Sequence, residues 1–439
     1  MDWLAALWLM LGLLLGLMAL GLPVAFAFLG VNIVGAFVFL GGEAGLDQMA
    51  RNTMAAVSNF ALAPIPLFLL MGEILFHTGV AFQAIDAVDR LIARVPGRLS
   101  IVSVLGGTVF SSLSGSTIAN TAVLGSALLP EMLRRGYHPT LAMGPIMATG
   151  SIAMLIPPSA LAVLLGSLAG ISISKLLIAG IVPGLLMSAA FLGYIVLRCR
   201  LDPSVAPPYE VSKLSAAERW LPFLKHVVPL FGIFLVVVGS IVAGWATPTE
   251  SAALGSVASA VAAACYGKLD RRSLVRALRE TAKISVMILF IIAASVTFSQ
   301  ILAFSGASNG LLAVIGGMGL STFALLLAML AVLLFLGAFM DQVSMIMITL
   351  PFFIPLATSL GLDPLWFGVL MLVVMEISFT TPPFGLLIYV MKGVAPASVT
   401  LRTVYLAALP FIFLELAVLG LILAWPGLVT WLPLLVRPQ

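Results

Sequence analysis

The residues best able to do chemistry in this chain are oxygen donors set inside apolar sequence. The run Ser111-Ser112-Leu113-Ser114-Gly115-Ser116-Thr117, followed by Asn120-Thr121, concentrates hydroxyls and an amide in an otherwise apolar region. Such a cluster can ligate a cation, can bond its own backbone in a tight turn, or can let membrane helices approach closely. Downstream stand Thr149-Gly150-Ser151 and Ile156-Pro157-Pro158-Ser159. A Pro-Pro pair removes amide donors and interrupts helix, leaving preceding carbonyls without helical partners. In a bilayer those carbonyls are tolerated only where protein or a cavity satisfies them. Sodium suits them, since it takes oxygen ligands and needs little negative charge. A first sodium site is therefore expected from Ser112, Ser114, Gly115, Ser116, Asn120, Thr149, Gly150 and Pro157.

A second set has the same character: Gly337, Met340, Asp341 and Ser344, then Ser378, Thr380, Thr381 and Pro382. Asp341 is its sharpest member. A carboxylate at the centre of a membrane helix costs roughly 2.5–3.5 kcal/mol on insertion scales and marks function by default. It could ligate an ion, or it could cap the backbone amides of a turn. Glu376 and Glu73 raise the same question with less force, and Glu376 could simply pair with a neighbouring helix. A carboxylate-bearing substrate would suit the positive ends of broken helices. Ser116, Thr117, Pro158, Ser159 and Pro383 are the residues expected to meet it, with Lys392 as the one cation near the second break.

Other chemistries fit poorly. Gly306-Ala307-Ser308-Asn309-Gly310 matches G-x-S-x-G, which raises an intramembrane serine protease. That nucleophile needs a histidine base, and His77, His138 and His226 are expected at segment ends or loops. No G-x-x-x-x-G-K-[ST] occurs, so an ATP-driven pump lacks its nucleotide site. Cys199 and Cys265 have no partner spacing for a disulfide framework or metal.

The elements that must hold these residues are membrane helices. Of 439 residues 62% are hydrophobic and 9% charged, and such a chain needs the bilayer as solvent. The net charge of +4 gives no reason to invoke nucleic acid. Spans are expected near 4–40 (one long or two short, around Pro23), 54–76, 176–197, 226–246, 251–267, 283–304 and 404–424. Met1-Asp2-Trp3 lacks the basic start of a signal peptide, so the first span is expected to be retained. Regions 100–168 and 321–391 are apolar but interrupted. Four basic clusters, at Arg90–Arg98, Arg134-Arg135, Arg198–Lys225 and Lys268–Lys283, belong in the cytoplasm. That assignment works if 100–133 enters and leaves on one side, as a re-entrant hairpin or a pair of short spans.

The two interrupted regions are copies of each other. Pro130 and Pro355 are 225 residues apart (355 − 130), and the same offset pairs Gly136 with Gly361 and Pro139 with Pro364. It also pairs Pro157 with Pro382 and Pro158 with Pro383. The charge pattern makes the copies enter from opposite faces. The expected fold is therefore an all-α polytopic membrane protein with inverted repeats, each holding a re-entrant helical hairpin and a broken helix. Such repeats build secondary transporters with sites near the midplane. The expected division is scaffold helices at 1–99, first hairpin and break at 100–175, and connecting helices at 176–304. The second hairpin and break follow at 305–400, and a C-terminal helix at 401–439.

Gly115–Ser126 with Pro130-Glu131-Met132, Ile156–Ser159, Gly244–Glu250, Gly337–Asp341, Trp366-Phe367-Gly368 and Thr381–Gly385 carry a family resemblance. Together they resemble the large membrane subunit of tripartite ATP-independent periplasmic (TRAP) transporters, over nearly the whole chain. The resemblance implies a bacterial inner-membrane permease working with a separate small four-helix membrane subunit. An extracytoplasmic binding protein would deliver an organic acid, and sodium would drive an elevator-like movement of a transport domain. It also implies that the sodium sites lie at the hairpin tips and broken helices. A self-sufficient sodium–anion symporter of related architecture is the alternative.

Overall fold

The computed structural model describes residues 2–92, 95, 97–114, 117–207, 215–383 and 385–435, with backbone alone at 110–114 and 119. All regular structure among the described residues is helical. The chain opens with α1 (Trp3–Ala19), α2 (Val24–Phe39) and α3 (Glu43–Val57), then α4 (Pro64–His77) and α5 (Val80–Leu91). The first interrupted region becomes α6 (Arg98–Ser114), α7 (Thr117–Arg134), α8 (Pro139–Ile152) and α9 (Ala160–Ala169). Next come α10 (Ile173–Ala179), α11 (Ile181–Leu201), α12 (Ala216–Val242), α13 (Pro248–Cys265), α14 (Arg271–Phe304) and α15 (Ala307–Gly317). The second region becomes α16 (Thr322–Gly337), α17 (Gln342–Ser359), α18 (Pro364–Thr380) and α19 (Leu386–Val394). The chain closes with α20 (Leu401–Ala424) and α21 (Gly427–Leu434).

Six helical stretches are long and apolar enough to cross a membrane: Phe60–His77, Ile173–Leu201, Ala216–Val242, Arg271–Phe304, Gln342–Ser359 and Leu401–Ala424. The first apolar region is two helices rather than one, because Gly21 takes φ 86° and Pro23 then starts α2. Two expectations shift. The helix whose span was expected near 283–304 begins at Arg271, so the basic run to Lys283 is the start of α14, and His226 sits inside α12 rather than at a segment end. Hydropathy alone also passes over α5, whose Val80, Ala81, Ala84, Ile85, Ala87 and Val88 form one buried face at helical spacing.

The offset of 225 reaches the helix boundaries. Adding it to Thr117 and Arg134 gives 342 and 359, the limits of α17, and Pro139 and Pro364 start α8 and α18. Gly136 and Gly361 both turn the chain at positive φ, 76° and 66°, where a side chain would be strained. The Pro157-Pro158 and Pro382-Pro383 peptide bonds are both cis. Pro130 and Pro355 lie within α7 and α17, near their ends, without breaking them.

The chain divides into two compact units. One comprises Met1–Ala63, Ala282–Leu333 and Met340–Pro364. In it Trp3 covers Gly310, where a Cβ would come within 2.1 Å of the indole, and Phe28 meets Phe298 edge-on at 5.0 Å. Asn32, fully buried, donates to the Ala294 carbonyl at 2.5 Å.

The other unit comprises Pro64–Thr281, Leu334–Phe339 and Leu365–Gln439. Here α8 is gripped closely because its neighbours meet it at glycine. A Cβ on Gly144 would lie 2.3 Å from the Phe411 ring and 2.6 Å from the Ala407 carbonyl of α20. A Cβ on Gly107 of α6 would lie 2.8 Å from Thr149. α18 is buried from Trp366 to Thr380 on every side, the pattern of a helix at the centre of a packed bundle. Local capping fixes where other helices begin. Thr247, Pro248 and Glu250 form a capping box with proline at the first helical position, so that motif is a helix start.

Candidate ion and substrate site

The first break follows α8. Among the residues expected there, Asn120, Thr149 and Gly150 are buried, as is Ser151. A Cβ on Gly150 would touch Thr117 Cγ2 at 2.9 Å, Leu387 at 3.0 Å and Thr121 Oγ1 at 3.1 Å. The start of α7, the end of α8 and α19 therefore converge at Gly150. The Thr117 hydroxyl donates to Glu376 Oε1 at 2.9 Å, so the carboxylate of α18 reaches the same place. Thr121 Oγ1 is buried without a hydrogen-bond partner. Gly115 and Ser116, and the side chains of Ser112 and Ser114, lie outside the described residues. Ser159 caps α9, its hydroxyl accepting from Ala162 N at 3.2 Å and keeping its own hydrogen to donate.

The second break follows α18. Ser378 Oγ donates to Met375 O at 2.6 Å, and Thr380 and Thr381 both donate to Ile377 O, at 3.0 and 2.7 Å. This is the local backbone bonding that serine and threonine make in helices. It spends each hydroxyl hydrogen on a carbonyl and leaves the oxygen lone pairs, which a cation needs. Beyond the break, a Cβ on Gly385 would meet the carbonyl oxygens of Phe379 at 2.7 Å and Thr381 at 2.8 Å. Two backbone oxygens thus converge where only glycine leaves room. The Pro383 carbonyl accepts from the Tyr405 hydroxyl at 2.5 Å. Lys392 is held by the backbone, donating to Val399 O at 2.6 Å.

Asp341 sits at the start of α17. Its Oδ1 accepts from the amides of Val343 and Ser344 at 3.0 and 3.1 Å, and its Oδ2 accepts from the Ser344 hydroxyl. That is N-cap geometry, with a negative charge at the positive helix end. Gly337 closes α16, and Met340 lies in the interval between that helix and the cap. Glu73, the other acid singled out, lies 3.1 Å from His77 one turn along α4.

Sequence reasoning missed Glu415. This residue of α20 is fully buried, and its Oε1 accepts from Ser151 at 2.6 Å. The Thr380 hydroxyl lies beside it, and Oε2 has no hydrogen-bond partner. Glu415 therefore connects the ends of both broken helices. The signal was present as a lone acid within the apolar run 404–424. The buried set fits sodium: carboxylate, hydroxyl and carbonyl oxygens in one unit, with unpartnered oxygens at Thr121 and Glu415.

Known proteins match this chain. Residues 11–428 match the model of the tripartite ATP-independent periplasmic transporter, DctM component. The C4-dicarboxylate TRAP transporter large permease protein DctM of Rhodobacter capsulatus is 32% identical over 96% of this chain and 97% of its own. The sialic acid TRAP transporter large permease protein SiaM of Vibrio cholerae is 28% identical over 95% and 96%. Among solved structures, the YdaH transporter of Alcanivorax borkumensis aligns with a TM-score of 0.64 at 17% identity, over 88% of this chain and 90% of that one. That likeness is one of fold. With a family match across nearly its whole length and apolar helices to span the bilayer, the chain is a multi-pass bacterial inner-membrane protein, a transport component and not an enzyme, and it belongs to the DctM family of TRAP large permease subunits.

Proposed function

We propose that this permease takes up a carboxylate-bearing organic acid against its gradient by coupling it to inward sodium movement. The observation that carries the reading is the oxygen cluster of the second unit. Asn120, Thr121, Thr149, Ser151, Ser378 and Thr380 are buried there with two carboxylates, Glu376 and Glu415. Burying so many oxygens in a membrane protein is costly unless something uses them. The first sodium is held by the α7 start and the α8 break, and the second by the α18 break. Substrate meets the helix ends beside them. The named relatives carry a C4-dicarboxylate and sialic acid, which share a carboxylate. A small four-helix membrane subunit and an extracytoplasmic binding protein complete the transporter, and an elevator-like displacement of the hairpin and break regions exchanges access. The repeats are inverted, with Arg134-Arg135 cytoplasmic and Gly361-Leu362-Asp363 outside.

Reconstitution with the neighbouring small subunit and binding protein, screening acids for uptake, tests this directly. Uptake should require sodium and proceed without ATP. If more sodium charge than substrate charge moves, each net charge gains about 2.3 kcal/mol per 100 mV, and an imposed potential should change the rate. Thr381→Ala should raise the sodium concentration for half-maximal uptake while changing stability by no more than about 0.5 kcal/mol. Uptake that falls with an unaltered sodium dependence would make the hydroxyls structural. Full activity without the small subunit would favour the self-sufficient symporter.

A further inference from the structure

A cavity of about 430 Å³ lies between α5 and α12, away from the helix breaks. Its polar lining holds both signs of charge: Arg90 and Lys225 on one hand, Asp86 on the other, with Gln83 and His226 between. Arg90 is paired with Asp86 at 2.9 Å, which leaves Lys225 without an acidic partner among the described residues. Two buried polar atoms at the cavity, Gln83 Oε1 and His226 Nδ1, have no hydrogen-bond partner. Buried groups left this way are few in folded proteins and ask for a ligand or water. Phe82 and Leu221 add an apolar rim.

The cavity's place along α12 says what kind of ligand this is. Beyond His226, residues 227–242 of α12 carry no charge and rise about 24 Å, most of a hydrocarbon core. The cavity therefore lies where apolar helix gives way to charged helix, at headgroup depth. Trp220, 52% exposed, is placed as interfacial aromatics are. On the face of α12 that adjoins Lys225, Leu224, Val228, Phe231 and Leu235 form one stripe at three- and four-residue spacing, each about half exposed. A soluble anion would use the cations and ignore that stripe. An acyl chain would use both.

We propose that this cavity binds the headgroup of a membrane phospholipid carrying both a phosphate and a hydrogen-bond donor, with its acyl chains along the α12 stripe. Lys225 and the remaining guanidinium N–H groups of Arg90 take the phosphate. Gln83 Oε1 and the Asp86 carboxylate take the donor, an ammonium or a hydroxyl.

Native mass spectrometry of the full chain in detergent tests it, after incubation with phosphatidylethanolamine, phosphatidylglycerol or phosphatidylcholine. The first two should be retained and phosphatidylcholine, whose head has no donor, should be lost. Lys225→Gln should weaken retention of both by about tenfold, the loss of one charged hydrogen bond, and Lys225→Arg should restore most of it. Gln83→Leu should narrow the difference between phosphatidylethanolamine and phosphatidylcholine. Both changed side chains are partly exposed, and equal melting temperatures in lipid-free detergent check that the variants fold. Equal retention of all three lipids, or no effect of Lys225→Gln, overturns the proposal. So does glycerol 3-phosphate competing as strongly as whole lipid, or expulsion of the lipid when the small subunit binds.

Discussion

The two broken helices use the same pair of groups with the roles exchanged. Ser151 and Glu376 occupy equivalent positions in the copies (376 − 151 = 225). In the first copy that position is a hydroxyl, and the carboxylate comes from Glu415 on α20. In the second it is the carboxylate, and the hydroxyl comes from Thr117 on α7. Each break thus ends beside a hydroxyl–carboxylate pair, although only one copy encodes the acid at that place. The backbone device is the same at both breaks, and the side chains that serve it come from different places.

The largest effect expected of any change that probes this difference is at Gly144, whose counterpart in the second copy is Val369 (369 − 144 = 225). Gly144→Ala forces α8 off the Ala407 backbone carbonyl, which cannot move as a side chain can. It should cost about 3 kcal/mol, the upper range for overpacking, and lower the yield of folded protein from the membrane. Val369→Ala only removes methyl groups and should cost less; equal melting temperatures for the two would show the α8–α20 contact to be misread. Next comes Glu415. Glu415→Ala leaves Ser151 without its carboxylate and should cost about 2 kcal/mol, with sodium-dependent uptake falling too. Glu415→Gln keeps an acceptor for Ser151 and should retain most of the stability. If Glu376→Gln is tolerated but Glu415→Gln behaves like Glu415→Ala, the exchanged-role symmetry fails.

The smallest effect is at Asp341. Its equivalent in the first copy is position 116, a serine. Asp341→Ala removes the acceptor for two amides and should cost about 1 kcal/mol, as loss of an N-cap does. Asp341→Asn keeps one acceptor, so as a cap it should be near wild type in thermal unfolding. Sodium titration of uptake adds the second axis: a ligand role predicts that Asn weakens transport most at low sodium. Indistinguishable melting of Asp341→Ala and wild type would remove the cap as a contributor.

What was legible in the sequence was whatever the backbone needs. Gly136, Gly361 and the two Pro-Pro pairs are backbone requirements, and their common offset located both breaks; the limits of α7 and α17, which the structure supplies, keep the same offset. Asp341 was readable as a possible cap because acids start helices. The partners of the breaks were not readable, since Ser151 and Glu415 stand 264 residues apart and no local pattern links them. Gly244–Glu250, grouped with the family features, and Ser159, grouped with the substrate residues, also start α13 and α9, a local role that capping chemistry could have foretold. The amphipathic α5 escaped because a search for spans looks for apolar length, and α5 is short and one-sided.

The glycines around α8 have a mechanical consequence. α8 is fitted to α6 at Gly107, to α20 at Gly144, and to α7 and α19 at Gly150, with no slack for even one methyl group. Turning α8 by one residue, about 100°, would drive side chains into all of these fitted contacts at once. Such a joint is stiff in torsion in the way a splined shaft is. Whatever displacement transport requires cannot be taken up by α8 rotating within its sleeve. Any movement of α8 must carry α6, α7, α19 and the packed part of α20 with it as one piece, with the flexing left to the connections outside them.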